Sequence, residues 1–164
     1  MILIDTSVYI NAIADKELED EIREAAKKAV MMSSLVIEKE IDSAAFHLRR
    51  IGKKEDAERL KELYNLSAGG KIGLTPFVSS LTTEYFDAVG RQFGKKRAKK
   101  MIDDFRIVAG SSAAALSAIG TFNRKTMANE YIVRIYKEIN EKHKLRTPGF
   151  IKEKAVLIKF LSSL

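Results

Sequence analysis

The sequence predicts an α/β fold of three layers, α/β/α, around a central parallel sheet of four or five strands. Two observations carry this. Short continuous apolar runs, such as MILI at the start and SAIGTF over 117–122, read as strands buried on both faces. Longer stretches with apolar residues at three- and four-residue spacing separate them, and strands alternating with helices build parallel sheets.

Met1 to Ile4 is the first strand, and Val8, Ile10 and Ile13 continue into a short helix ending near Ala14 and Asp15. Leu18, Ile22, Ala25, Ala26 and Ala29 mark a helix over 17–30. Val30 to Ser33 reads as a brief strand, with Ser34 as N-cap of a helix that carries Val36, Ile37, Ile41, Ala44, Ala45 and Leu48 inward and ends near Gly52. A helix over 54–67 follows, with Ala57, Leu60, Leu63 and Tyr64 as its stripe. Ala68-Gly69-Gly70 reads as a break and Ile72-Gly73-Leu74 as a short strand. Pro76 suits the first turn of the next helix, which runs to about Phe93 with Gly94 as its C-cap. One long helix is expected from about Lys95 to Leu116, then the SAIGTF strand, a turn at Asn123-Arg124-Lys125 and a helix over 129–143. Thr147-Pro148-Gly149 reads as a turn before a last short helix over 151–162. The whole is one domain of 164 residues, with a C-terminal helical extension from about residue 128.

Composition narrows the function. Apolar residues make up 46% and charged residues 31%, which is globular and not disordered. No apolar run approaches about 18 residues, so no membrane span is expected. The apolar N-terminus lacks a basic region before it, so no signal peptide is expected. The absence of cysteine excludes disulfides, thiolate zinc sites and cysteine nucleophiles, and fits a cytoplasmic protein. A net charge of +7 suits a polyanionic partner such as nucleic acid. There is no GxxxxGK[ST] phosphate loop.

In open parallel sheets, chemistry sits at the carboxyl ends of the strands. Asp5 follows the first strand directly. With Thr6 and Ser7 next it also suits a helix cap, so its meaning depends on partners elsewhere. Glu38 and Glu40 fall in SLVIEKEI, on the helix after Ser34. Asp103 and Asp104 share a helix with Met101, Phe105 and Val108, and Asn123 lies just past the SAIGTF strand. Four oxygen-bearing side chains can therefore converge on one sheet edge. Clustered carboxylates repel unless a cation joins them, and oxygen ligands select Mg²⁺ or Mn²⁺.

The order of these segments resembles a known family. IDTSVYI, then Ser-x5-Glu-Ile over Ser34–Ile41, then Asp-Phe-x-Ile-Val-Ala over Asp104–Ala109, then Thr-x-Asn over Thr121–Asn123 is similar to the PIN domain. Within it, the pattern resembles the VapC-like ribonucleases of prokaryotic toxin–antitoxin pairs, over roughly residues 2–127. The resemblance implies a parallel sheet flanked by helices and a Mg²⁺- or Mn²⁺-dependent endoribonuclease. Asp5, Glu40 and Asp104 would then hold metal, with the Thr6 hydroxyl beside them. Glu40 is preferred to Glu38, and Asp104 to Asp103, because their flanking apolar residues follow the family register. Glu84 has a similar context but lies only twenty residues before Asp104, too near for the intervening elements. The chain departs from the family at Asn123, where the pattern carries a fourth acid, usually Asp. Asn123 would complete the shell as a neutral ligand, contributing an oxygen but no charge toward a second metal.

Arg124 and Lys125, beside Asn123, are the candidate contacts to RNA phosphates. GKKRAKK (94–100) and the Arg49, Arg50, Lys53 and Lys54 group are further basic runs, which also suit solvated faces. His47 and His143 lack ligand spacing. The toxin resemblance further implies a homodimer and a cognate antitoxin. The missing fourth acid motivates a different class of function, a catalytically silent PIN-like module that binds RNA or protein.

Overall fold

β1 (Ile2–Ile4) is wholly buried and lies at the centre of a five-stranded, all-parallel sheet in a computed structural model that describes residues 1–164. β2 (Met31–Ser34) flanks it on one side, with Leu3 opposite Met32. β4 (Ala118–Gly120) flanks it on the other, with Ile2, Leu3 and Ile4 opposite Ala118, Ile119 and Gly120. β3 (Ala68–Ile72) and β5 (Gly149–Ile151) are the two edges, giving the order β3-β2-β1-β4-β5.

Local sequence starts and stops most of the helices. α1 (Thr6–Ala14) begins at Asp5, and α2 (Lys16–Lys28) begins at Asp15, whose side chain accepts from Leu18 N. Acidic Glu17 and Glu19 open α2 and basic Lys27 and Lys28 close it, as the helix dipole favours. Ser34 caps α3 (Leu35–Arg50) by accepting from Ile37 N at 3.3 Å, and α4 (Lys54–Ser67) follows. Thr75 caps α5 (Pro76–Phe93), which ends at Gly94 with φ +91°, a conformation that glycine adopts without strain. α6 (Lys95–Lys100), α7 (Ile102–Ala113), α8 (Glu130–Lys142) and α9 (Lys154–Ser162) complete the chain. Helices α1 to α4 pack together with α9 on one face, and α5 to α8 on the other, so the expected three layers are present. No helix is long and apolar enough to cross a membrane.

Three local expectations are corrected. Ala68-Gly69-Gly70 is no break but most of β3. A Cβ on Gly70 would stand 2.8 Å from Met32 Sδ, so glycine lets the edge strand lie close against its neighbour. The single helix over Lys95–Leu116 is two, because the chain turns at Met101 (φ −107°, ψ 7°), whose side chain is fully buried. The residues after Thr147-Pro148 form β5, so the C-terminal part supplies a strand as well as helices. Phe150 in β5 stacks on Tyr136 of α8, with ring centroids 6.2 Å apart.

The topology fixes where a site can form. From β1 the chain moves outward through β2 to β3, then crosses to β4 and moves outward the other way to β5. The carboxyl ends of the adjacent strands β1 and β4 therefore open a crevice between departing chain segments, the place where parallel sheets bind ligands.

Candidate active site

Asp5 stands at that crevice. Its backbone N–H donates to Gly120 O at 2.9 Å, and its side chain is only 4% exposed. Asp5 Oδ2 accepts from Ser7 N (3.4 Å), Ser7 Oγ (2.5 Å) and Thr121 Oγ1 (2.8 Å). So Asp5 is a helix cap, yet the cap uses only one of its oxygens; Oδ1 has no protein donor. Ser7 Oγ also accepts from Phe122 N (3.0 Å), and Thr121 Oγ1 accepts from Asn123 N (3.1 Å). These two hydroxyls tie the end of β1 to the loop after β4.

Glu40 reaches the same place from the second turn of α3. Thr6 Oγ1 donates to Glu40 Oε2 at 2.5 Å, and Glu40 Oε1 has no protein donor. Asp104 arrives from the first turn of α7, where Asn123 Nδ2 donates to its Oδ1 at 3.4 Å. The Asn123 amide is oriented by its own loop: Oδ1 accepts from Thr126 N (3.2 Å) and Thr126 Oγ1 (2.8 Å). A backbone N–H can only donate, so the amide oxygen must face Thr126 and the NH₂ must face Asp104. Asn123 thus presents a donor to the acids, not the neutral oxygen expected of it.

The electrostatics couple the three acids. Burial pushes the Asp104 carboxyl up to about 7, and the charges of Asp5, Glu40 and Asp103 add to this while Thr126 opposes it. Glu40 is raised too, first by burial, then by the charges of Asp5 and Asp103, against the Thr6 hydrogen bond. A carboxylate raised by burial and by like charge is a group whose ionised form lacks a counter-ion. A cleft of about 590 Å³ opens beside Glu40, lined by Thr6, Ile10, Leu35, Leu74, Asp103 and Arg106 among others.

The competing acids separate by their partners. Glu38 is ion-paired with Lys71 at 2.7 Å, Asp103 with Arg106 at 2.8 Å, and Glu84 meets His143 at 2.8 Å. Arg124 does not turn to the acids: it pairs with Glu153 (2.7 Å) and donates to Lys152 O (3.1 Å). Lys125 is exposed and has no ion-pair partner. Ser7 and Thr121, quoted in the sequence segments but given no role at the site, hold Asp5, and Thr126, not singled out at all, holds Asn123. The signal for Thr121 was its place in the Thr-x-Asn segment, two residues before Asn123.

No three acidic or histidine side chains close on a single metal-binding point. The donor set nonetheless suits a hard divalent cation: it is oxygen-only and mutually repelling, with Asp5 and Glu40 each pinned through one oxygen and bare at the other. No family model, curated protein or solved structure matches this chain.

Proposed function

We propose that this protein is a Mg²⁺- or Mn²⁺-dependent endoribonuclease that hydrolyses RNA phosphodiester bonds with Asp5, Glu40 and Asp104. One observation carries the reading. Three carboxylates from distant parts of the chain lie near enough to feel one another's charge without closing on a single point, and burial, with the charges of Asp5 and Glu40, pushes the Asp104 pKa up to about 7. The PIN-domain resemblance supplies the reaction class. A bound Mg²⁺ or Mn²⁺ would supply a water of lowered pKa for attack on the phosphodiester and would neutralise charge on the leaving oxygen.

The chain's own residues do the positioning. Ser7 and Thr121 hold Asp5 Oδ2, so Oδ1 faces a ligand from a rigid anchor. Thr6 fixes the direction of Glu40. Asn123 donates to Asp104 where the related pattern carries an acid, which lowers the total negative charge at the crevice. The same reading includes a role as the toxin of a toxin–antitoxin pair, a homodimeric state and a cytoplasmic location. The exposed apolar side chains of Ile10, Leu35 and Leu74 beside Glu40 support a protein partner, such as an antitoxin, at this cleft.

A specific observation favours a second reading, a catalytically silent module that binds RNA or protein: the Asn123 oxygen is spent on Thr126, leaving that position no oxygen for a metal. Cleavage of RNA by the purified protein in Mn²⁺, Mg²⁺ and EDTA separates the two. The nuclease reading expects cleavage that needs the metal and is lost in Asp5→Asn with its fold intact. Absence of cleavage in the folded wild type, in any metal, sinks it in favour of the silent module.

A further inference from the structure

We propose that the groove between α8 and the free edge of β5 binds the phosphate backbone of single-stranded RNA and leads it to the acidic crevice. The proposal rests on the ribonuclease reading for its substrate. An acidic centre repels RNA, so the attraction must come from cations placed elsewhere.

The groove has a volume of about 520 Å³. Arg134 and Lys137 enter it from α8, Arg146 from the following loop and Lys152 from the end of β5, while Glu130 is the one acid in its lining. None of these four cations forms an ion pair, which is true of most Lys and Arg side chains in the chain; what sets them apart is that they line one groove from three separate segments. Arg134 and Lys137 share one helix face, so their charges repel until an anion lies between them. Lys95, Lys96, Lys99 and Lys100 of α6 are unpaired too, but they sit on one six-residue helix and do not converge from separate segments.

The floor of the groove favours a nucleic acid over an extended acidic peptide. Gly149 N donates to Ser117 O and Ile151 O accepts from Thr121 N, both at 3.0 Å, so Gly149 and Ile151 face β4. By alternation, the N–H and C=O of Phe150 face the open edge. A peptide strand needs several such groups in a row. Here Pro148 lacks an N–H and the Lys152 carbonyl already accepts from Arg124. One free donor and acceptor beside a half-buried aromatic ring suit a base or ribose better, since bases stack on such rings.

One loop has a residue at each place, the acids and the groove. Asn123 bonds to Asp104 at one end of its loop, and Ala128 at the other end lines the groove. Ala128 N donates to Asn123 O at 3.0 Å, which holds the loop closed on itself. Lys152 lies past the carboxyl end of β5, and Asp5 past the carboxyl end of β1, at the same end of the parallel sheet.

The test is fluorescence anisotropy with a labelled, unstructured RNA oligonucleotide in EDTA, over a range of salt. The pair Lys137→Glu with Arg146→Glu reverses two exposed charges and is checked by its melting temperature. It should weaken binding at least about tenfold and reduce the logarithmic salt slope by about 1.4, from ~0.7 per lost phosphate contact. Lys95→Glu with Lys96→Glu makes the same change in net charge on α6 and should have a clearly smaller effect. Equal effects of the two pairs overturn the groove assignment. So does a groove pair that still binds RNA normally but no longer binds poly-glutamate. Metal-dependent cleavage is measured on the same samples. Cleaving wild type with unchanged RNA affinity and KM in the groove pair defeats the groove alone. RNA binding lost in the groove pair of a protein that never cleaves defeats the ribonuclease reading alone.

Discussion

The Thr6 hydroxyl donates to Glu40 Oε2 at 2.5 Å, joining the residue after β1 to a carboxylate in the second turn of α3. This bond aligns Glu40 with Asp5 and opposes the upward push that burial gives the Glu40 carboxyl. Thr6→Val removes the donor, and a hydrogen bond to a charged, partly buried group is worth about 1.5–3 kcal/mol. The variant should lose about that much stability and at least tenfold in cleavage rate, with Thr6→Ser restoring most of both. Denaturant melts and cleavage rates of the two variants check this; a Val variant with wild-type cleavage contradicts it.

Asp104 predicts a pH dependence with a definite sign. Its folded pKa is about 7 against an ordinary value of 3.8, so the folded state holds a proton that the unfolded state releases. Its stabilising share is complete below the unfolded value and is lost as pH rises from about 4 to about 7. In the metal-free protein, Asp104 by itself should therefore account for a loss on the order of 2–4 kcal/mol across that window. Asp104→Asn should flatten the profile, and Mn²⁺ should raise the melting temperature more at pH 8 than at pH 5, where protons compete for the site. Thermal melts across pH give the answer, and identical profiles for wild type and variant would refute the assignment.

Asn123→Asp replaces the amide group 3.4 Å from Asp104 by a carboxylate while keeping an acceptor for Thr126. Without metal, the added repulsion should destabilise the fold by about 1–3 kcal/mol at pH 8. With Mn²⁺ the order should reverse, and the variant should show the larger gain in melting temperature. A variant as stable as wild type without metal, and no more responsive to it, argues that Asn123 does not face the acids.

Glu38 and Asp103 discriminate the register. Both are committed to exposed ion pairs, with Lys71 and Arg106, and such pairs contribute about 0–1 kcal/mol. Glu38→Gln should change cleavage little and stability by less than about 1 kcal/mol. Glu40→Gln should abolish cleavage. Loss of activity in Glu38→Gln, with Glu40→Gln still active, would place the second acid two residues earlier in α3.

Much of this architecture was legible in the sequence because local signals agreed with global ones. Ser34, Thr75 and Pro76 mark helix starts by their own chemistry, and ILI and AIG are apolar enough to be central strands. The edges were not legible. AGGKI has no strand propensity, and β3 exists because β2 offers it a partner and Met32 fills the space beside Gly70. GFI is too short to stand out, and pairing with β4 defines it. The break at Met101 came from tertiary burial that helical periodicity does not reveal. At the site, the order of the acids along the chain indicated Asp5, Glu40 and Asp104. The direction of the Asn123 amide depends on Thr126 three residues on, and the capture of Arg124 depends on Glu153 at the far end of the chain. Neither relation leaves a trace in local sequence.

Under the proposed function, Asp5, Glu40 and Asp104 act together in holding a divalent cation. Calorimetric titration of the metal-free protein with Mn²⁺ at pH 8 tests it most directly, on the wild type and on Asp5→Asn, Glu40→Gln and Asp104→Asn. Saturable binding in the wild type, weakened at least about tenfold in every one of the three folded variants, is the predicted result. Binding that is absent from the wild type, or that survives unchanged in all three variants, would contradict it.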